Sequence, residues 1–335
     1  MIAGVSLSPR NEKHAFATNY RMATVVDTRS NTMRRDIEFD AEGLTLRGWL
    51  YVPDGAKKPV PIVIMAHGFS CLKEMFLDKY AEVFVKDGLA VLVYDNRCFG
   101  ASDGEPRQEI DPILQVRDYQ HAISFARTLP EVDKERIGIW GTSYTGGHAL
   151  IVAAIDKRVK CAVSQVPVVS GSRNIHRAAR EDTIPDLLGR FTADRDARYA
   201  GKAPAMAPVT SRDPNEVCAF PGINAFEAFQ GAQQTVAPNW RNEVTLRSLE
   251  LFLAHETLGY VDKIGPCPLL MIVEDQDTLA APDMSLDVYG HTLEPKKMVV
   301  LHGGHFDAYV RDQGVTARAA SDWYVEHLVG KGKSS

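Results

Sequence analysis

The chain has 335 residues, 45% of them hydrophobic and 24% charged, with a formal net charge of −5. That length suits one large α/β domain with an insertion, and the composition excludes disordered, fibrous and membrane-spanning chains. The mild negative balance, without a Lys/Arg cluster interleaved with aromatics, argues against nucleic acid or an anionic bilayer as partner.

At the N-terminus, Met1–Ser6 lacks both a basic region and a long apolar stretch, and no later run reaches membrane-spanning length, so a cytoplasmic protein is expected. Residues 1–34 carry no clear strand or helix and are expected as an N-terminal extension that could pack on a second copy in a homodimer. The five cysteines, Cys71, Cys98, Cys161, Cys218 and Cys267, are odd in number and scattered without a CxxC spacing, which points to reduced core thiols.

Asp36–Phe39 and Leu44–Val52 alternate apolar residues around a Gly43 turn and predict an antiparallel hairpin. Four short apolar runs follow, Val60–Ala66, Ala90–Tyr94, Arg136–Trp140 and Lys160–Val166, as expected of strands buried on both faces. Helical spacing over Lys73–Lys86, Asp111–Thr128 and Tyr144–Asp156 supplies crossovers long enough for a parallel sheet. From about Ser170 to Trp240 the chain turns polar and basic, with Pro185, Pro204, Pro208, Pro214, Pro221 and Pro238 interrupting any long helix. Strand-like runs resume at Pro268–Val273 and Lys297–Leu301, before a terminal helix over Ala317–Leu328 and a solvated tail at Lys331–Ser335. The expected fold class is α/β: a mostly parallel central sheet flanked by helices, its core formed by residues 35–169 and 266–330, with a mainly helical cap over 170–265.

The strand Arg136–Trp140 runs directly into Gly141-Thr142-Ser143-Tyr144-Thr145-Gly146 and then an apolar helix. This is the layout of a nucleophile elbow, where a sharp turn between small residues lifts a serine hydroxyl above the sheet. Thr145 stands where a glycine is usual, and the plain alternative is a tight turn in which Ser143 caps the helix. A serine hydroxyl needs a base, and the base needs an acid to set its tautomer. In chain order the acid should follow a late strand and the histidine should come last. Glu274-Asp275-Gln276-Asp277 and His302-Gly303-Gly304-His305 stand at those two strand ends. His305, preceded by two glycines, is better placed than His302; Asp277, deeper in its loop, leads over Asp275. A metal bound by His302 and His305 lacks any accompanying ligand motif, so no metal and no cofactor are expected. Backbone N–H groups of Tyr144 and Phe69 are the expected oxyanion donors, Phe69 following the strand end Ala66-His67-Gly68. His67 precedes the nucleophile and is expected to hold its loop. Cys98, with no base beside it in sequence, is expected as a packed thiol.

Four segments carry a resemblance over about Arg35 to Leu328: Ala66–Phe69, Tyr94–Gly104, Gly141–His148 and Gly303–Tyr309. Together they resemble α/β-hydrolases related to the X-prolyl dipeptidyl-peptidase group, and more narrowly the fungal polyketide transferases and hydrolases of secondary-metabolite clusters. The resemblance implies a triad of Ser143, Asp277 and His305 and a hydrophobic, polyketide-derived acyl substrate, either a small molecule or carrier-bound. Relatives usually show Arg-Gly-Phe-Gly where this chain has Arg97-Cys98-Phe99-Gly100, and Gly or Ser at the position of Thr145. An acyl-enzyme can pass its acyl group to water or to another acceptor. Hydrolysis of an ester, thioester or related activated acyl group is therefore the first expectation, acyl transfer the second, and an inactive binding protein of the same fold the third. A peptidase would need an acidic anchor for the peptide N-terminus, and none can be placed in the cap. Arg173, Arg177, Arg180 and Arg190 form either a positive rim for an anionic substrate group or a solvated helix face.

Overall fold

The computed structural model describes residues 33–330 apart from residues 180 and 214. Of the expected N-terminal extension only Met33 and Arg34 are therefore described, and they open the first strand; Arg180 and the Lys331–Ser335 tail lie outside the described residues. Strands β1 (Met33–Ala41) and β2 (Leu44–Val52) pair antiparallel, closing at Ala41 and Leu44 around Glu42 and Gly43, both at positive φ as a tight hairpin turn requires.

The sheet continues through β3 (Val60–Ala66), β4 (Ala90–Tyr94), β5 (Val132–Thr142), β6 (Val159–Gln165), β7 (Leu269–Glu274) and β8 (Lys296–Leu301). Across it the spatial order is β1-β2-β4-β3-β5-β6-β7-β8, parallel from β4 onward. Because side chains alternate along a strand, Ile62, Ile64 and Ala66 of β3 face one layer while Val63 and Met65 face the other. The first layer is closed by α2 (Pro112–Ala126), α3 (Tyr144–Ile155) and α8 (Pro282–His291); the second by α1 (Leu77–Lys86) and α9 (Gln313–Tyr324). Burial on both faces explains why the central strands read as unbroken apolar runs.

Helix α1 begins only at Leu77, not at Lys73 as its periodicity suggests. The reason is local: Lys73 Nζ is drawn to Asp95 Oδ2 at 2.6 Å, and Phe76 takes φ +68°, which no α-helix continues through. Within the segment 170–265 the chain forms α4 (Gly171–Ala178), α5 (Ile184–Tyr199), α6 (Ile223–Thr235) and α7 (Leu246–Phe252). The expectation that Pro185 interrupts a long helix is corrected: it sits in the first turn of the 16-residue α5, where its missing N–H costs no hydrogen bond. Phe191, Phe229, Trp240 and Phe252 of this segment share one apolar cluster with Phe69, Leu72 and Tyr144.

The loop after β4 is held by a buried pair. Arg97 donates from Nε to Asp118 Oδ2 at 2.8 Å and from its terminal nitrogen to Oδ1, with the side chains only 7% and 0% exposed. Removing one partner leaves a buried, uncompensated charge. Asp118→Ala should therefore lower unfolding stability by roughly 3 to 5 kcal/mol, read from urea midpoints.

Candidate active site

Strand β5 delivers Ser143 into a backbone conformation of φ 54° and ψ −118°, which an L-residue adopts only under constraint. The constraint is visible on both sides. Ser143 N–H donates to Gln165 O at 2.9 Å, and Ser143 O accepts from Val168 N–H at 2.9 Å. Gly141 is indispensable to the approach: a Cβ there would lie 2.0 Å from Thr145 O. The departure at Thr145 proves functional to the fold, since its buried hydroxyl donates toward Ala66 O (2.7 Å) and Thr142 O (3.1 Å) and accepts from Thr142 N–H (3.1 Å). It ties the elbow to the end of β3, from which the Gly68 loop departs.

Ser143 Oγ lies 3.0 Å from His305 Nε2, and His305 Nδ1 lies 2.6 Å from Asp277 Oδ2. The other oxygen of Asp277 accepts from Leu279 and Ala280 N–H, both at 2.8 Å, so the carboxylate is oriented before it meets the imidazole. With Nδ1–H donating to Asp277, Nε2 presents its lone pair to the serine hydroxyl. Both Ser143 and His305 are buried, at 8% and 7% exposure. Asp275 is elsewhere: it faces His302 Nδ1 at 3.0 Å, and that histidine side chain is 78% exposed.

Gly68 brings the β3 loop against the nucleophile so closely that a Cβ on it would stand 3.0 Å from Ser143 Cβ. Among the described residues no acceptor engages the backbone N–H of Phe69 or Tyr144, and their rings meet edge-on at 5.5 Å. His67 accepts from Gly68 N–H at Nδ1 (2.7 Å), so Nε2 carries the proton and donates to Met75 O (2.7 Å). Burial lowers its pKa to about 4, leaving a neutral ring that braces the loop. Of the four cap arginines, Arg173, Arg177 and Arg190 pair with Asp287, Asp283 and Asp186 on the exposed surface. Cys98 is buried and its thiol is pushed up to about 11 by burial, which suits a packed thiol.

Residue patterns missed a second set of groups that link the elbow to the histidine loop. Thr142 Oγ1 meets Tyr309 Oη at 2.6 Å and receives Gln165 Nε2 at 3.4 Å, while Gln165 Nε2 also donates to Tyr80 Oη at 3.1 Å. Tyr80 in turn donates to Ala308 O at 2.7 Å. Thr142 and Tyr309 carried a sequence signal, lying in the Gly141–His148 and Gly303–Tyr309 segments, whereas Gln165 and Tyr80 carried none of their own. Among the described residues no cluster of three or more His, Cys, Asp or Glu is arranged to hold a metal ion.

Residues 42–307 match the model of the X-Pro dipeptidyl-peptidase (S15) family. The chain belongs to that family. A thiohydrolase of Eupenicillium brefeldianum is 34% identical over 280 residues, covering 82% of this chain and 88% of the relative. The polyketide transferase grgF of a Penicillium species is 30% identical over 306 residues, covering 90% and 99%. The crystal structure of the α/β-hydrolase GrgF from Penicillium sp. sh18 superposes with a TM-score of 0.77 at 30% identity, covering 89% of this chain and 99% of that one. The S15-family chain thus has the α/β-hydrolase fold, and none of its described helices is long and apolar enough to cross a membrane.

Two measurements test the geometry. Asp277→Asn should lower kcat by about 10⁴, as loss of the tautomer-setting acid does in serine triads, whereas Asp275→Asn should leave kcat within twofold. Glu274 ends β7 fully buried, with no hydrogen bond to either carboxylate oxygen among the described residues. Burial, reinforced by Asp312, raises its pKa from 4.5 to about 7. The native state then holds a proton that the unfolded chain has released, so this group's stabilisation is complete below pH 4.5 and is lost as pH rises through about 7. Glu274→Gln should flatten the fall of Tm across that window.

Proposed function

We propose that Ser143 is the nucleophile of a serine acyl hydrolase, with His305 as general base and acid, Asp277 as the orienting acid, and the N–H groups of Phe69 and Tyr144 as the oxyanion hole. The observation that carries this reading is the continuous Asp277–His305–Ser143 chain at 2.6 and 3.0 Å. His305 takes the proton of the serine hydroxyl as Oγ adds to the acyl carbon, and returns it to the leaving thiol or alcohol. Water then resolves the acyl-enzyme by the same steps in reverse order of roles.

The substrate we assign is an ester, thioester or related activated acyl compound with an apolar, polyketide-like chain, free or carrier-bound. Support comes from the aromatic surface beside the elbow, where Phe69 packs on Tyr144, Phe220 and Phe252 at 5.4–5.8 Å, and from relatives named thiohydrolase and polyketide transferase. Acyl transfer to a non-water acceptor is the second reading, favoured by the burial of both Ser143 and His305 beneath the cap, which withholds water from the acyl-enzyme. A cytoplasmic location belongs to the same proposal, supported by the five free thiols, as kept in a reducing compartment.

A fluorophosphonate probe should label the folded protein at Ser143, and Ser143→Ala should lose at least 10³-fold of its thioester turnover relative to wild type. Folded wild-type protein that is not labelled, or a mutant that retains turnover, would remove Ser143 from the mechanism. Product partitioning with an added amine or alcohol acceptor separates hydrolysis from transfer.

A further inference from the structure

A cavity of about 160 Å³ lies where the loop after β4 meets the cap, and Leu72, Arg107, Gln108, Asn239, Trp240 and Arg241 are among the residues lining it. Neither Ser143 nor His305 lines it. Sites that enclose a whole small-molecule ligand run to roughly 300–1,000 Å³, so this one is too small for an acyl substrate and is sized for one polar group of it.

Its chemistry is specific. Arg107 is half-buried and its guanidinium is held in place by donating to Gly100 O at 3.0 Å and to Ser102 O at 2.5 Å. Among the described residues that guanidinium makes no salt bridge, and the carboxylate beside it, Glu105, accepts instead from the Arg107 backbone N–H at 2.9 Å. Gln108 beside it sits at φ +65°, an unusual conformation for a residue with a side chain. That backbone is clamped between body and cap: Gln108 N–H donates to Cys98 O, and Thr245 N–H donates to Gln108 O, both at 3.0 Å. The clamp fixes a buried residue whose carboxamide makes no side-chain hydrogen bond among the described residues, opposite the exposed Asn239. Backbone outliers of this kind cluster at active sites and ligand clamps. Arg241 adds a second guanidinium at the rim, 66% exposed and loosely paired with Glu243 at 3.4 Å.

The cavity also communicates with the catalytic loops. Trp240 Nε1 donates to both Ser70 O and Ser70 Oγ at 3.1 Å, pinning the Gly68–Leu72 loop, whose last residue, Leu72, lines the cavity. Gly68 leaves no room for a Cβ beside Ser143, and the four steps from Gly68 to Leu72 span at most about 14 Å of chain.

We infer that this cavity is an anion subsite, in which Arg107 binds a phosphate or carboxylate borne by the leaving-group side of the acyl donor while Gln108 and Asn239 hydrogen-bond its polar chain. The inference rests on the acyl hydrolase reading of Ser143 and extends it to the part of the donor remote from the reacting carbon. Oriented guanidinium suits either anion through paired N–H···O bonds, and the tryptophan face covers the chain between anion and thioester.

Three thioesters of one acyl group test it on the full chain: octanoyl-coenzyme A with phosphates, S-octanoyl-3-mercaptopropionate with a carboxylate, and the uncharged octanoyl N-acetylcysteamine. In Arg107→Ala the ratio of kcat/KM for an anionic donor to that for the uncharged one should fall about tenfold relative to wild type, with partial recovery in Arg107→Lys. The anion whose ratio falls identifies the group bound, and the exposed control Arg117→Ala should leave both ratios unchanged. Ratios in Arg107→Ala within twofold of wild type for both anions would overturn the subsite. Calorimetric binding of coenzyme A and of 3-mercaptopropionate to the Ser143→Ala protein reads the subsite without turnover. Binding of one of them that weakens about tenfold when Arg107→Ala is added supports it; binding of neither, or an unchanged Kd, overturns it. Failure of the hydrolase reading would appear separately, as absent fluorophosphonate labelling at Ser143.

Discussion

The backbone of Ser143 is held in a conformation it would not choose, and the surrounding structure is arranged to hold it there. Gln165 O and Val168 N–H grip it from the end of β6, in a turn where even the β-branched Val166 takes φ +36°. The grip is possible because β5 and β6 are adjacent parallel strands whose carboxyl ends lie side by side. A strained residue of this kind costs about 1–3 kcal/mol and persists only where neighbours over-determine it. Burial of the central strands on both faces supplies that determination, since neither strand can shift without opening one of the two apolar layers.

From this point the other groups follow by connection. Thr145 anchors the elbow to β3, and β3 carries the Gly68 loop that places Phe69 beside the nucleophile. Thr142, Tyr309, Gln165 and Tyr80 tie the elbow to the chain after His305. The strand order puts β3, β5, β6, β7 and β8 side by side, so loops distant in sequence converge on one edge of the sheet. Convergence at the carboxyl ends of parallel strands is the general reason such sheets carry sites there. Aromatic side chains of the 170–265 segment pack beside the elbow, and the Asp277–His305 pair is buried, where a low local dielectric strengthens it.

Sequence alone determined the elements whose signal is local. Apolar runs gave the strands, the Gly-Thr-Ser-Tyr-Thr-Gly turn gave the elbow, and the order of late strand ends gave Asp277 and His305 as the groups that the fold brings to Ser143. These were legible because each depends on a few consecutive residues and on a chain order that parallel topology imposes. What only the tertiary structure decided is non-local. Loop depth ranked Asp277 over Asp275, but in space the two separate because one faces an exposed His302 and the other a buried His305. Thr145 looked like a defect until Ala66, 79 residues earlier in the chain, appeared as its acceptor. Gln108 and Trp240 carry no motif at all, because a cavity is defined by the space between segments and not by any one of them.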